Sequence, residues 1–161
     1  MRSWISEATA EAYAFAGNTA AGLRALHAAE VAFDGARAGN TPAWLGFYND
    51  QCHVLRRKGR CLMFLGRAGE SVAALNGSLA TLPETFVRER SGTLIDISLA
   101  HLRTDPPEIE ETCRVAIDAA TLAQRTGSGR NPRRLQELMV DLLPYGRSPS
   151  VQDLQRRLLL A

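Results

Sequence analysis

The sequence predicts an all-α fold: about eight helices paired into about four antiparallel hairpins. Three observations carry that prediction. Apolar residues recur at helical spacing along nearly the whole chain. Turn-forming residues break the periodicity at intervals suited to short helices, as at Gly17-Asn18, Gly66, Pro83 and Thr126-Gly127. The one segment that alternates like a strand has no second strand to pair with.

In chain order, the first helix carries Trp4, Ile5, Ala8, Ala12 and Phe15 as its apolar face and stops at Gly17-Asn18. The second carries Leu23, Leu26, Ala29, Ala32 and Phe33 and ends in DGARAGN. Thr41-Pro42 is a helix start, because threonine caps and proline is tolerated in the first turn. From there Trp44, Phe47, Tyr48, Cys52, Leu55, Gly59 and Leu62 share a face up to Gly66. The fourth helix holds Val72, Leu75, Leu79 and Leu82, and Pro83 stops it. The fifth, about 86–103, contains TLIDISLA, which alternates through Ile95, Ile97 and Leu99 but also fits a helix through Leu94, Ile97, His101 and Leu102. Its helical neighbours favour the helix. TDPPEIEE opens the sixth, with acids in the first turn. After GSGRNP, two last helices occupy about 131–142 and 149–160. The hairpins are therefore expected at about 3–37, 42–83, 86–126 and 131–160, as one domain over 1–161.

Composition narrows the classes. With 19 basic and 17 acidic side chains, bulk charge does not suggest a nucleic-acid binder. Lys58 is the only lysine, so arginine is a background habit of this chain and a single arginine carries little weight. Cys52, Cys61 and Cys113 are few and odd in number, which excludes a disulfide framework and suggests a reducing, cytoplasmic setting. The N-terminus lacks the apolar core of a signal peptide, and no run approaches the ~18 apolar residues of a membrane span.

Hairpins at a recurring spacing call for a repeat comparison. Within Cys52–Thr85, Leu55, Gly59, Leu62, Leu65-Gly66, Ser71, Leu75, Ser78 and Pro83 follow one pattern: large, small, aromatic or large, then small residues on the second helix and a closing proline. Lys58 departs from it. The same frame set at Ser3 picks up Ala10, Tyr13, Ala16-Gly17, Gly22, Leu26 and Ala29. Set at Ser91, it picks up Leu94, Ile97-Ser98 and His101, then Thr112, Ala116 and Ala119 after an insertion at DPP. In these residues the chain resembles the tetratricopeptide repeat family. PAWLGFYND, GRCLMFLGRAGESVAAL, LAHLR and QRTGSGRNPRRLQELMVDL further resemble the C-terminal helical-repeat region of actinobacterial helix-turn-helix transcriptional regulators. The resemblance implies a right-handed superhelical array and a protein-binding role in a bacterial regulatory system. In that family a DNA-binding domain precedes the repeats. Residue 3 already lies inside the first repeat here, so DNA binding is not carried over.

The small residues have a physical task in either reading. Gly59 and Ser98 are expected where the helices of a hairpin cross, with Gly22 and Ser71 facing them, because backbones approach closely only where side chains are short. That also disposes of a phosphate-binding reading of GRAGES, which lacks the P-loop lysine and a preceding strand. Cys52, His53 and Cys61 do not make a metal site: on one helix His53 and Cys61 are roughly 12 Å apart. His27, His53 and His101 fall on three helices with no adjacent catalytic acid, and the carboxylates of EIEE (108–111) complement a helix N-terminus. The reading is therefore of a non-enzyme, with no catalytic residues, cofactor or metal. His101, at the family's aromatic position, is expected in the core.

The concentrated charge feature is RRKGR (56–60). Arg56 and Arg60 share a helix face. The resemblance implies that the first helix of each hairpin lines a concave groove, here His53, Arg56, Arg60, Met63 and Phe64, with Trp4, Glu7, Glu11 and Phe15 from the first repeat. Such a mixture suits a peptide or an acidic protein segment. A solvated face is the bland alternative, and nucleic acid is a weaker one. Other expected roles are a small-molecule sensor or enzyme with a pocket between helices, and a structural dimerisation domain. At the C-terminus Val151, Leu154 and Leu158 can face inward, but Leu159 and Leu160 cannot both follow. A homodimer contact through this helix, a missing neighbour or a frayed end would each account for them.

Overall fold

The computed structural model describes the backbone of residues 2–37, 50–127 and 129–159, and side chains within 5–35, 50–127 and 129–159. Among these residues there are eight α-helices and no strand: α1 (Arg2–Phe15), α2 (Thr19–Arg37), α3 (Gln51–Phe64), α4 (Ala68–Thr81), α5 (Val87–Leu102), α6 (Ile109–Gln124), α7 (Arg130–Asp141) and α8 (Pro149–Leu159). A 3-10 turn, Leu143–Tyr145, follows α7. TLIDISLA is helical. The chain has two compact units, Met1–Thr81 and Leu82–Ala161.

The first unit is two hairpins built to one plan. Gly17 (φ +72°) ends α1 and Gly66 (φ +75°) ends α3, 49 residues later. In both turns a six-to-one bond closes the helix end, from Asn18 N–H to Tyr13 O at 2.9 Å and from Arg67 N–H to Leu62 O at 2.9 Å. Such an end needs a left-handed residue, which glycine supplies without a Cβ clash. Asn18 then caps α2, its Oδ1 accepting from Ala21 N–H at 3.1 Å. Within each hairpin the crossing is close. A Cβ on Gly22 would lie 3.4 Å from Ala14 N, and one on Gly59 would lie 2.5 Å from Leu75 Cγ. The core between the hairpins gathers Ala10, Ala14, Leu26, Cys61, Leu62 and Ala74.

Two expectations change here. The apolar face read for α1 does not point inward: Ile5 is 52% exposed and Phe15 78%, and Ala8 and Ala12 are exposed too, while Glu7, Ala10 and Ala14 are buried. Close approach to α2 selects the small side chains for the interior and leaves the large ones outside. Trp4's side chain lies outside the described residues. Secondly, α3 begins at Gln51, since Asp50 is extended (φ −81°, ψ 145°) and its carboxylate accepts from Gln51 N–H at 2.7 Å. Trp44, Phe47, Tyr48 and the expected start at Thr41-Pro42 fall outside the described residues.

In the second unit α5 and α6 form the hairpin, and Ile95, Cys113, Ala116, Ala119, Leu135, Leu138, Leu142, Val151 and Leu154 are buried in its core. The last two helices do not form a fourth tight hairpin as expected. α7 packs on α5 and α6, and α8 packs chiefly on α6. The α7 attachment is polar. Buried Asp96 pairs with Arg134, whose guanidinium also donates to Gly92 O at 3.2 Å, and Asn131 Nδ2 donates to Arg88 O at 2.9 Å.

Serines lock both central hairpins at heptad spacing. Ser71 and Ser78 of α4 donate to Gly59 O (2.7 Å) and Cys52 O (2.6 Å) of α3. Ser91 and Ser98 of α5 donate to Ala119 O (2.9 Å) and Thr112 O (2.7 Å) of α6. Each hydroxyl is buried against a partner helix and bonds to a carbonyl there, so the close packing leaves none of these four groups orphaned. No described helix is long and apolar enough to cross a membrane.

Candidate functional site

The basic run on α3 meets acids from the first hairpin. Arg57 Nε lies 3.3 Å from Glu7 Oε2, Lys58 Nζ 2.5 Å from Glu30 Oε1, and Arg60 reaches Glu11 Oε1 at 2.5 Å. Glu7 and Glu11 are on α1 and Glu30 on α2, so RRKGR joins neighbouring hairpins. Glu7 is 2% exposed, while Arg60 and Glu11 are about one-third exposed. A pair of that exposure contributes about 0–1 kcal/mol, so its larger consequence is to set the register between α1 and α3.

This arrangement sorts the residues expected in a groove. Glu7 and Met63 are buried and present no surface, a correction that follows from α3 turning this side towards α1 and the core. Arg60 and Glu11 come together as an ion pair. Phe15 and Phe64 also meet, with ring centroids 5.6 Å apart at 81°, an edge-to-face contact. His53 and Arg56 are half-buried on α3. The result is a surface of two aromatic rings beside a salt bridge, on the first helices of two adjacent hairpins.

Two concavities lie in the second unit. One, a cavity of about 390 Å³, is lined by Ala120, Ala123, Gln124, Pro132, Leu135 and Gln136. An adjoining groove of about 320 Å³ runs between α7 and α8 past Met139, Val140, Leu143, Leu158 and Leu159. Val140, Leu143 and Leu159 are 63%, 71% and 79% exposed. Of the residues expected inward on α8, Val151 and Leu154 are buried and Leu158 packs at the edge of the core. Leu160 lies outside the described residues. The groove exists because α8 docks on α6 and diverges from α7, which helical periodicity does not reveal.

Two polar features add to the sequence reading. His101 Nδ1 is paired with Glu108 across the loop joining α5 to α6, so the imidazole sits at the hairpin end with an acid beside it. The nearby Glu111 carboxyl is held below the usual range by hydrogen bonding to Arg114, despite some desolvation. The other is Asp96, a lone carboxylate inside the apolar run TLIDISLA, a pattern that signals a buried partner. Cys61 is pushed up to about 12 by burial first and then by Glu11, and Cys113 to about 11 by burial. Burial, with Asp50 nearby, also raises Cys52. Burial thus keeps all three protonated as thiols in the neutral range. Among the described residues no group of three or more His, Cys, Asp or Glu is placed to hold a metal ion. No family model, curated protein or solved structure matches this chain.

Proposed function

We propose that this chain is a non-catalytic interaction module of tetratricopeptide character that serves a bacterial regulatory system. Its partner segment docks along α1 and α3. The observation that carries the reading is Phe15, 78% exposed and packed edge-on against Phe64 beside the Glu11–Arg60 pair. An exposed aromatic next to a guanidinium suits a peptide that offers an apolar anchor and a carboxylate. Arg60 then exchanges Glu11 for the partner's acid at small cost, because the internal pair is solvent-accessible.

The test is selection of displayed random peptides on the immobilised protein, followed by titration calorimetry of the enriched sequences. Phe64→Ala and the double variant Arg56→Ala, Arg60→Ala should each weaken binding at least about tenfold. The double variant should also flatten its salt dependence with its own melting little changed, whereas Phe64→Ala, which also trims the core, should lower melting. Full affinity in both variants overturns the assignment. A second reading, a sensor of small apolar molecules, is favoured by the adjoining cavities that share Gln136 and Leu158. Ligand-induced melting shifts abolished by Gln136→Leu would support it.

A further inference from the structure

We infer that the outward face of α1 is a self-association surface, through which two copies of this chain pair by antiparallel packing of α1 against α1. The repeat supplies the starting point. Val54, Cys61 and Leu62 of α3 are 8%, 0% and 2% exposed, and the first hairpin packs against α3. Counting back the 49 residues that separate Gly66 from Gly17 reaches Ile5, Ala12 and Tyr13 of α1. At these equivalent positions Ile5 is 52% exposed, Tyr13 is 42% exposed and Ala12 is exposed. The interface between hairpins thus continues onto the far side of α1, with the same kind of apolar side chain and no described residue of the unit covering it. By that continuity, the complementary surface is a helix.

The sequence of the face argues that the helix is α1 of a second copy. Ile5, Ala8, Ala12 and Phe15 fall within one stripe, at steps of three and four. The stripe is symmetric about Ala10. In an antiparallel pair Ile5 meets Phe15 of the partner and Ala8 meets Ala12, so small residues let the backbones approach at the centre and large ones close both ends. A two-fold interface requires this self-complementarity, and because it takes up Phe15, self-association competes with the partner docking proposed above. Electrostatics agree. From Ile5 to Ala16 the charged residues are Glu7 and Glu11, and both are directed to α3, where they pair with Arg57 and Arg60. No like charges are brought together by the two-fold. The stripe carries one ring, Phe15, since Tyr13 two residues before it turns to another side of the helix. It therefore offers roughly 300 Å² per copy, which places the dimer among weak, concentration-dependent contacts.

Sedimentation equilibrium over a wide concentration range tests this on the full chain. The expected result is a reversible dimer dissociating on the order of 10 µM. Ala12→Arg, and independently Ala8→Arg, should raise the dissociation constant more than about 100-fold by placing cations at the two-fold, with circular dichroism and melting unchanged. Leu159→Glu should leave the dimer intact. Mild oxidation should join an Ala8→Cys chain to an Ala12→Cys chain more readily than either to itself, since the native thiols are buried. A monomer at all concentrations, a dimer that survives both arginine variants, or a dimer lost in Leu159→Glu each overturns the inference; the last would assign the contact to the C-terminal face.

Discussion

Gly59→Ala is the most exacting test of how the first unit is built. Replacing a helical glycine by alanine on an open surface should stabilise by up to about 1 kcal/mol. At Gly59 the added methyl would sit 2.5 Å from Leu75 Cγ, 2.8 Å from Leu75 Cδ2 and 3.2 Å from Ser71 O. Comfortable carbon contacts are about 3.5–4.0 Å, so α3 and α4 must separate by about 1 Å or Leu75 must leave its rotamer. Leu75 is fully buried, and overpacking of this kind costs about 1–3 kcal/mol. Separation also stretches the Ser71 Oγ–Gly59 O bond of 2.7 Å, for about 1 kcal/mol more. Setting the propensity gain against these, the net loss should be about 2 kcal/mol. Urea denaturation followed by far-ultraviolet circular dichroism reads it directly. Gly35→Ala, where a Cβ meets nothing within 4 Å, should change stability in the opposite direction. Leu75→Ala should be less harmful in the Gly59→Ala background than alone, by about 1 kcal/mol or more of coupling. A Gly59→Ala protein as stable as the parent, or additive with Leu75→Ala, would refute the close-crossing argument.

Three further outcomes are expected from the packing. Ser98→Ala and Ser78→Ala should each lower stability by about 1 kcal/mol in chemical denaturation, because each removes a buried bond to the facing helix. Asp96→Ala should cost about 3 kcal/mol by leaving Arg134 in a low-dielectric site, and amide exchange should show α7 losing protection first. The raised thiols make stability fall at alkaline pH. Unfolded Cys61 and Cys113 ionise above about 9 while the folded thiols hold their protons until about 12 and 11. The unfolded state therefore binds fewer protons in that window, and each thiol contributes a slope of up to about −1.4 kcal/mol per pH unit. Denaturation midpoints from about pH 8 to 11 should show this decline, and Cys61→Ala with Cys113→Ala should flatten it.

The helices, their order and most of their ends are legible in the chain alone. Those features are local: apolar spacing, Gly17 and Gly66 at the turns, Pro83 and the acid-rich start at EIEE all act within a few residues. The crossing role of Gly59 is legible for the same reason, since a glycine amid large apolar residues on one helix face marks a place where another backbone comes close. Which side of α1 faces inward is settled by packing, because Ala10 and Ala14 win the interior by being small enough for α2 to approach. Packing also brings Arg60 to Glu11 and Asp96 to Arg134, and docks α8 on α6. Each joins residues far apart in sequence, and spacing within one helix carries no information about which distant side chain arrives opposite. The candidate surface is accordingly half legible. Phe15, Phe64 and Arg60 can be placed on the right helices, but their meeting, and the burial of Glu7 and Met63 behind them, depend on how two hairpins stack.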